Sequence, residues 1–211
     1  RGLEAKFING LRVTDANTIE VVDEVLNGKV NGEVAEFVSS YDCEVQRLPG
    51  KEILSCKKLD QEPDLGFVGA ITKVDTTPIK KALEDGLMPI ISSTASDENG
   101  QCYNVNADTV AAEVAISLGA RRLVYLSDVP GLLQNPEDSN SLLSSLPVDQ
   151  VDSLKSEGII AKGMLPKVNS AVDALNSGVN RVHFIDGRLP HSILLEIFTD
   201  EGIGTEIVHA S

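Results

Sequence analysis

The feature that most constrains the fold is an alternation of short apolar runs with segments of helical period. It is clearest after Asn106. Over 107–118, Val110, Ala111, Val114, Ala115 and Leu118 share one helical face; 123–126 is a strand-like apolar run, and Pro130-Gly131 breaks the pattern that follows it. Helices are predicted over 148–156, over 166–176 ended by Gly178, and over 190–198, with strands over 181–185 and 205–208. Strands separated by helices of about ten residues predict an α/β fold around a mostly parallel sheet. Ligands in such sheets sit beyond the carboxyl ends of the strands, so the loops after Leu126 and Ile185 are the places to look.

The first half carries weaker signals of the same kind. Asp15 precedes a helical pattern over 16–26, with Gly28 past its end, and a second helix is predicted over 30–39. Pro49-Gly50 lies between two short apolar runs, which predicts a β-hairpin over 43–59. Residues 66–74 alternate as a strand. Thr77-Pro78 opens a helix closed by Gly86, 88–91 is a short buried strand, and 92–100 reads as a polar turn region.

Charge narrows the function classes. The net charge is −14 and no Lys/Arg-rich block occurs, which argues against nucleic acid or an anionic membrane as partner. Aromatic residues are only 4%, too few for a stacking platform along a single strand. No apolar run approaches the ~20 residues of a helical span. Cys43, Cys56 and Cys102 form no C-x-x-C pair and have no nearby histidine, so free thiols in a reducing compartment are expected and no metal site is assigned.

Four short segments could carry chemistry. In Asn104-Val105-Asn106-Ala107-Asp108, Asn106 can cap a helix and Asp108 lies in its first turn. Ser127-Asp128-Val129-Pro130-Gly131 leaves a buried strand into a tight turn, a position suited to a nucleotide base. Gly163-Met164-Leu165-Pro166-Lys167 feeds a helix N-terminus, where amides and a lysine suit phosphate. In Asn9-Gly10-Leu11-Arg12-Val13-Thr14-Asp15, Arg12 can fork a carboxylate. Taken singly, each also reads as an ordinary helix start, strand exit or surface arginine. No P-loop or G-x-G-x-x-G occurs, and His183, His191 and His209 make no nucleophile–base arrangement.

In order and spacing, these segments together resemble the acetylglutamate-kinase branch of the amino-acid kinase family. The stretches that carry the resemblance are KFINGLRVTD, DLGFVGAITKVD, YNVNADTVAAEVAISLGARRLVYLSDVPGLL, GMLPKV and VHFIDGRLPHSILLEIFTDEGIGTEIV. The resemblance implies a three-layer αβα sandwich with a mainly parallel, open central sheet. Residues 1–105 would be the rest of an amino-acid-binding lobe, and 106–211 a nucleotide-binding lobe on one continuous sheet. It also implies ATP-dependent phosphorylation, with Mg2+, of the γ-carboxylate of N-acetyl-L-glutamate. Arg12 and Asn104 would hold the substrate, Lys167 would neutralise the transferring phosphoryl group and Asp108 would orient the catalytic lysines. Ser127, Asp128, Lys162, Gly163 and Met164 would line the nucleotide site. His183, Glu196 and Gly202 match positions that bind arginine as feedback inhibitor. Dimers, hexamers formed through an N-terminal helix, a PII-type nitrogen-signalling partner, and a cytoplasmic or plastid-stromal location also follow from the resemblance.

Departures from the family pattern shape one more expectation. The family's lysine-glycine-glycine strand and His-Gly-Gly-Gly-Pro loop would lie before Arg1, and the chain opens without Met. Its Gly-Lys-Asp-Gly turn is altered at Leu48-Pro49-Gly50-Lys51-Glu52, and its triple-glycine loop reads Ala161-Lys162-Gly163-Met164. The chain by itself is therefore expected to be inactive or weak. The alternative reading is a non-catalytic arginine-sensing or partner-binding module derived from such a kinase.

Overall fold

The computed structural model describes residues 6–8, 10–135, 137–138, 140–160, 163–199 and 202–210. The chain divides into two compact units, Arg1–Val110 and Ala111–Ser211.

In the first unit, β1 (Phe7–Ile8) and β2 (Leu11–Arg12) pair antiparallel. Asp15 then caps α1 (Ala16–Val22), its carboxylate accepting the Thr18 amide at 2.7 Å. The predicted stop at Gly28 does not occur. A π-helical stretch, Asp23–Val30, runs without a break into α2 (Asn31–Ser39). The reason is a tertiary donor: the Arg47 guanidinium reaches the Asn27 and Gly28 carbonyls, each at 3.0 Å, and the Asn31 Oδ1 at 2.9 Å. These carbonyls thereby gain a charged donor beyond the backbone bonds of the widened helix.

The hairpin expected over 43–59 does not form either. β3 (Val45–Leu48) and β4 (Leu54–Lys58) flank a short α3 (Gly50–Ile53) and pair with different strands. β4 pairs antiparallel with β5 (Gly69–Val74), and β3 runs parallel to β6 (Met88–Ile91), which follows α4 (Thr77–Glu84). Gly50 explains the difference. Its amide donates to Ser92 Oγ at 2.9 Å, and a Cβ there would run into the carbonyl oxygens of Ser92 and Thr94. Pro49-Gly50 thus begins a helical turn pressed against another strand. The hairpin lies instead in the region read as polar turn: β7 (Thr94–Ser96) and β8 (Cys102–Asn104) pair across Gly100, which has φ 80°. The four-stranded sheet has the order β5-β4-β7-β8. Helices α2 and α4 pack on the β3–β6 pair, burying Ala35, Ile79 and Ala82.

α5 (Ala107–Leu118), capped by Asn106 Oδ1 on the Thr109 amide at 3.1 Å, leads into the second unit. There β9 (Arg122–Ser127), β10 (Ser145–Pro147), α6 (Val151–Ser156, after one 3-10 turn), α7 (Met164–Asn176), β11 (Arg181–Asp186), α8 (Ser192–Phe198) and β12 (Thr205–Val208) follow. The sheet order is β10-β12-β11-β9; β9 and β11 are parallel, as are β10 and β12, while β11 and β12 are antiparallel. Successive residues of β11 point to opposite faces. Val182 and Phe184 enter an apolar core with Val168, Ala171 and Leu175 of α7, whereas His183 faces Glu196 of α8. Helices therefore cover both faces of this sheet, and the fold is α/β with open sheets. α8 starts two residues later than predicted because His191 stands in the left-handed region at φ 61°. Among the described residues, no helix is long and apolar enough to cross a membrane.

Candidate functional site

In the first unit, Arg12 and Asn104 are brought together through Thr14. The Thr14 hydroxyl donates to the Arg12 carbonyl at 2.9 Å and accepts from Asn104 Nδ2 at 3.3 Å. Thr14 is wholly buried. Its backbone is clamped as well: its amide donates to the Leu65 carbonyl at 2.8 Å, and its carbonyl accepts from the Phe67 amide at 2.7 Å. Gly66, between them, has φ 77°, and a Cβ there would collide with the Thr14 carbonyl, so only glycine fits. The Arg12 guanidinium lies 4.6 Å over the Phe7 ring, which stiffens a long side chain at this end of the unit. Asp108 stands in the first turn of α5, where the helix dipole favours a carboxylate.

In the second unit, Ser127 and Asp128 lie at the carboxyl end of β9, with Ser127 in register with Asp186 at the end of β11. The Gly187 amide donates to the Ser127 carbonyl at 2.8 Å, joining the two strand ends. Arg188 closes on Asp186 with Nε at 2.9 Å and Nη2 at 2.8 Å, and adds its own amide at 2.9 Å. These donors, the guanidinium first, hold the Asp186 carboxyl down at about 2. Gly163 precedes α7 and Met164 is its first residue. One turn on, the Lys167 ammonium lies 6.0 Å over the Tyr125 ring, and that ring stacks on Phe184 at 5.2 Å. Lys162 lies outside the described residues.

His183, Glu196 and Gly202 converge. His183 Nδ1 and Glu196 Oε1 are 2.7 Å apart, and because a carboxylate only accepts, Nδ1 is the donor. The other oxygen of Glu196 accepts from the amides of Ile203 at 2.8 Å and Gly204 at 2.9 Å. Burial pushes this carboxyl up, but the Ile203 amide, the His183 imidazole and the Gly204 amide outweigh it and keep it below the ordinary glutamate range. Gly202 has φ 63°, and a Cβ there would come within 2.8 Å of Glu196 Oε2. All three residues line a cavity of about 250 Å³ whose rim also carries Arg122, Arg181 and Glu206. Arg181 is paired with Glu206 at 3.0 Å.

Four participants escape sequence reading. Thr14 looks like the approach to the Asp15 cap, and only the fold shows its hydroxyl between two other residues. Arg122 and Arg181 are 59 positions apart and become neighbours only through the parallel register of β9 and β11. Arg188 follows Asp186 closely enough to be suspected, yet nothing in spacing says the turn closes on β9. Among the described residues, no group of three or more His, Cys, Asp or Glu side chains could hold a metal ion.

Comparison with known proteins bears on the family. A profile of the amino acid kinase family matches residues 1–186. The acetylglutamate kinase of Syntrophomonas wolfei is 49% identical over 210 residues, covering 99% of this chain and 73% of that protein. The structure of N-acetylglutamate synthase from Neisseria gonorrhoeae, complexed with coenzyme A and N-acetyl-glutamate, superposes with a TM-score of 0.87 at 28% identity, over all of this chain and 48% of that one. The same synthase complexed with coenzyme A and L-arginine gives a TM-score of 0.82 at 27% identity, over all of this chain and 50% of that one.

Proposed function

This chain belongs to the amino acid kinase family and is a kinase-type phosphotransferase, and from that premise we propose that it transfers the γ-phosphoryl group of ATP to the side-chain carboxylate of N-acetyl-L-glutamate. The observation that carries the substrate is the convergence of Arg12 and Asn104 on Thr14. In this reading the Arg12 guanidinium forks the α-carboxylate and the Asn104 amide meets the acetamido group.

The roles of the remaining residues follow from charge. The nucleophile is already a carboxylate, so no general base is required, which accords with the lack of a nucleophile–base arrangement among the histidines. The work is positioning and neutralisation of the phosphoryl oxygens. Lys167 supplies a cation one turn into α7, whose N-terminal amides after Gly163 and Met164 suit phosphate. Ser127 and Asp128, at the strand end, hold the nucleoside, and Lys162, two residues before α7 in the sequence, would add charge there. Magnesium would be carried by the bound nucleotide. When bound there it neutralises charge on the β- and γ-phosphates.

A coupled assay of ADP release tests this reading. The chain by itself is expected to turn over weakly at most; what turnover it shows should require N-acetyl-L-glutamate and should not occur with L-glutamate or L-aspartate, and turnover with an unacylated acid alone would overturn the assignment. Lys167→Ala should lower kcat by roughly 10²–10³-fold, the usual loss on removing one charge-stabilising group. Arg12→Ala should instead raise the KM for the acid.

The cavity around Glu196 supports feedback inhibition by arginine. A lining that includes the buried Glu196 carboxylate and Arg122 suits a ligand with a cationic side chain and a carboxylate. Calorimetry with L-arginine should give saturable heat that Glu196→Gln abolishes. No heat at millimolar arginine would remove this part of the reading.

A further inference from the structure

We propose that Thr14 sets the direction in which Asn104 presents its amide, and through it selects acids that carry an N–H beside the carboxylate. The proposal rests on the reading above, in which Arg12 and Asn104 hold the acid substrate.

The argument is an account of protons. A threonine hydroxyl has one proton and two lone pairs. Thr14 is wholly buried, so water does not compete for either. The proton goes to the Arg12 carbonyl at 2.9 Å. What remains toward Asn104, at 3.3 Å, is a lone pair. Only the NH2 end of the amide can face a lone pair. Turned over, the amide would set its oxygen against the hydroxyl oxygen, two acceptors with no proton between them.

The backbones leave this amide little other freedom. The Asn104 main-chain amide donates to the Phe67 carbonyl at 2.9 Å, and both main-chain polar groups of Thr14 are bonded to the same 65–67 segment. Thr14 and the end of β8 are thus fixed to one piece of chain, and rotation of the Asn104 side-chain amide is the choice left open. Thr14 makes it. With Nδ2 committed, Oδ1 is turned toward the ligand as an acceptor.

The ligand side then reads as a pair. Arg12 offers donors to a carboxylate and Asn104 offers an acceptor to an adjacent N–H. An α-acylamido acid satisfies both. Its ester counterpart, with oxygen in place of N–H, puts an oxygen against Oδ1 and leaves a polar group unpaired. Thr14 acts through Asn104 and is a positioning residue.

The test compares two probes by calorimetry, N-acetyl-L-glutamate and its ester isostere (S)-2-acetoxyglutarate, on the wild-type chain, Thr14→Val and Thr14→Ser. In the wild type the ester should bind at least about tenfold more weakly, the factor that one lost hydrogen bond of this kind brings. Thr14→Val keeps the volume and removes the lone pair, so the amide can turn and the amide/ester ratio should shrink toward one. Thr14→Ser should restore the ratio. A general loss of stability would weaken both probes together and leave the ratio alone. An unchanged ratio in Thr14→Val, or no ratio in the wild type, overturns the proposal while leaving the substrate assignment standing. Failure of the wild type to bind either probe overturns both. If Thr14→Val does not fold, Thr14→Ala takes its place: it too removes the lone pair, the amide/ester ratio should shrink toward one, and an unchanged ratio overturns the proposal.

Discussion

Glu196 shows how much a single residue owes to its neighbours. In the sequence it is one carboxylate of an acidic chain; in the fold it receives three donors at 2.7–2.9 Å from His183, Ile203 and Gly204. Its folded-state pKa lies below the ordinary value, so the stability it adds is fully present above the ordinary glutamate range and is lost as pH falls through the folded value. Glu196→Gln should therefore cost roughly 1–3 kcal/mol at neutral pH, because its amide group faces a donor at one of three sites. The variant's thermal midpoint should also fall less steeply than the wild type's between neutral pH and the acid side of that range. Thermal melts at stepped pH check both statements; parallel curves would show that Glu196 is not the group being titrated. Arg12, Asn104 and His183 could be singled out from sequence because their types suit a ligand. Thr14 could not, since a hydroxyl's importance lies in what its one proton is committed to.

At the scale of elements, local chemistry and tertiary partners divide the decisions. The Asp15 cap is local: an acidic residue before a helical pattern finds the Thr18 amide whatever surrounds it. Asp15→Ala should cost about 1 kcal/mol, measured by denaturant melts. Gly50 is the opposite case. Its Cβ-free surface lies against the carbonyls of Ser92 and Thr94, 42 residues or more away. Gly50→Ala should destabilise the chain well beyond the usual ~1 kcal/mol of a point substitution, whereas Gly28→Ala, with open space around it, should be neutral or mildly stabilising. The same division explains the misplaced hairpin. Pro49-Gly50 carries a turn signal, but Asn27 accepts from Ser92 Oγ and, at 2.8 Å, from Thr94 Oγ1, and so ties β7 to the helical run and gives the glycine a strand to pack against. Gly28 likewise carries a stop signal, which the Arg47 guanidinium overrides by bonding the carbonyls there.

For the whole molecule, the charge of −14 bears on ligands of both signs. ATP and N-acetylglutamate, the proposed ligands, are anions that would enter against the mean field, so cations would have to be concentrated where they act; in the proposed reading Arg12 and Lys167 are such points. Arginine, the proposed inhibitor, enters with the field. Raising salt from about 10 mM to about 150 mM shortens the Debye length from roughly 30 Å to roughly 8 Å and removes most of that long-range contribution. Affinity for N-acetylglutamate should rise over this interval, and affinity for arginine should fall. Calorimetry at the two salt concentrations reads both, and shifts of the same sign for the two ligands would show that local pairs outweigh the mean field.

What the sequence determined by itself is whatever depends on period and on neighbours within a turn: the α/β class, α5 with its Asn106 cap, α7, β11 and β12, and the residue types able to meet a carboxylate, a phosphate or a guanidinium. Amphipathic period reflects one buried face per element, and caps act within three or four residues, so both are written locally. The tertiary structure decided which strands pair, where a glycine begins a helix instead of a turn, how β9 and β11 bring Arg122 beside Arg181, and which way Asn104 turns its amide. Each of these depends on a partner tens of residues away, and a hydrogen bond or a close approach between such partners exists only once the chain has folded.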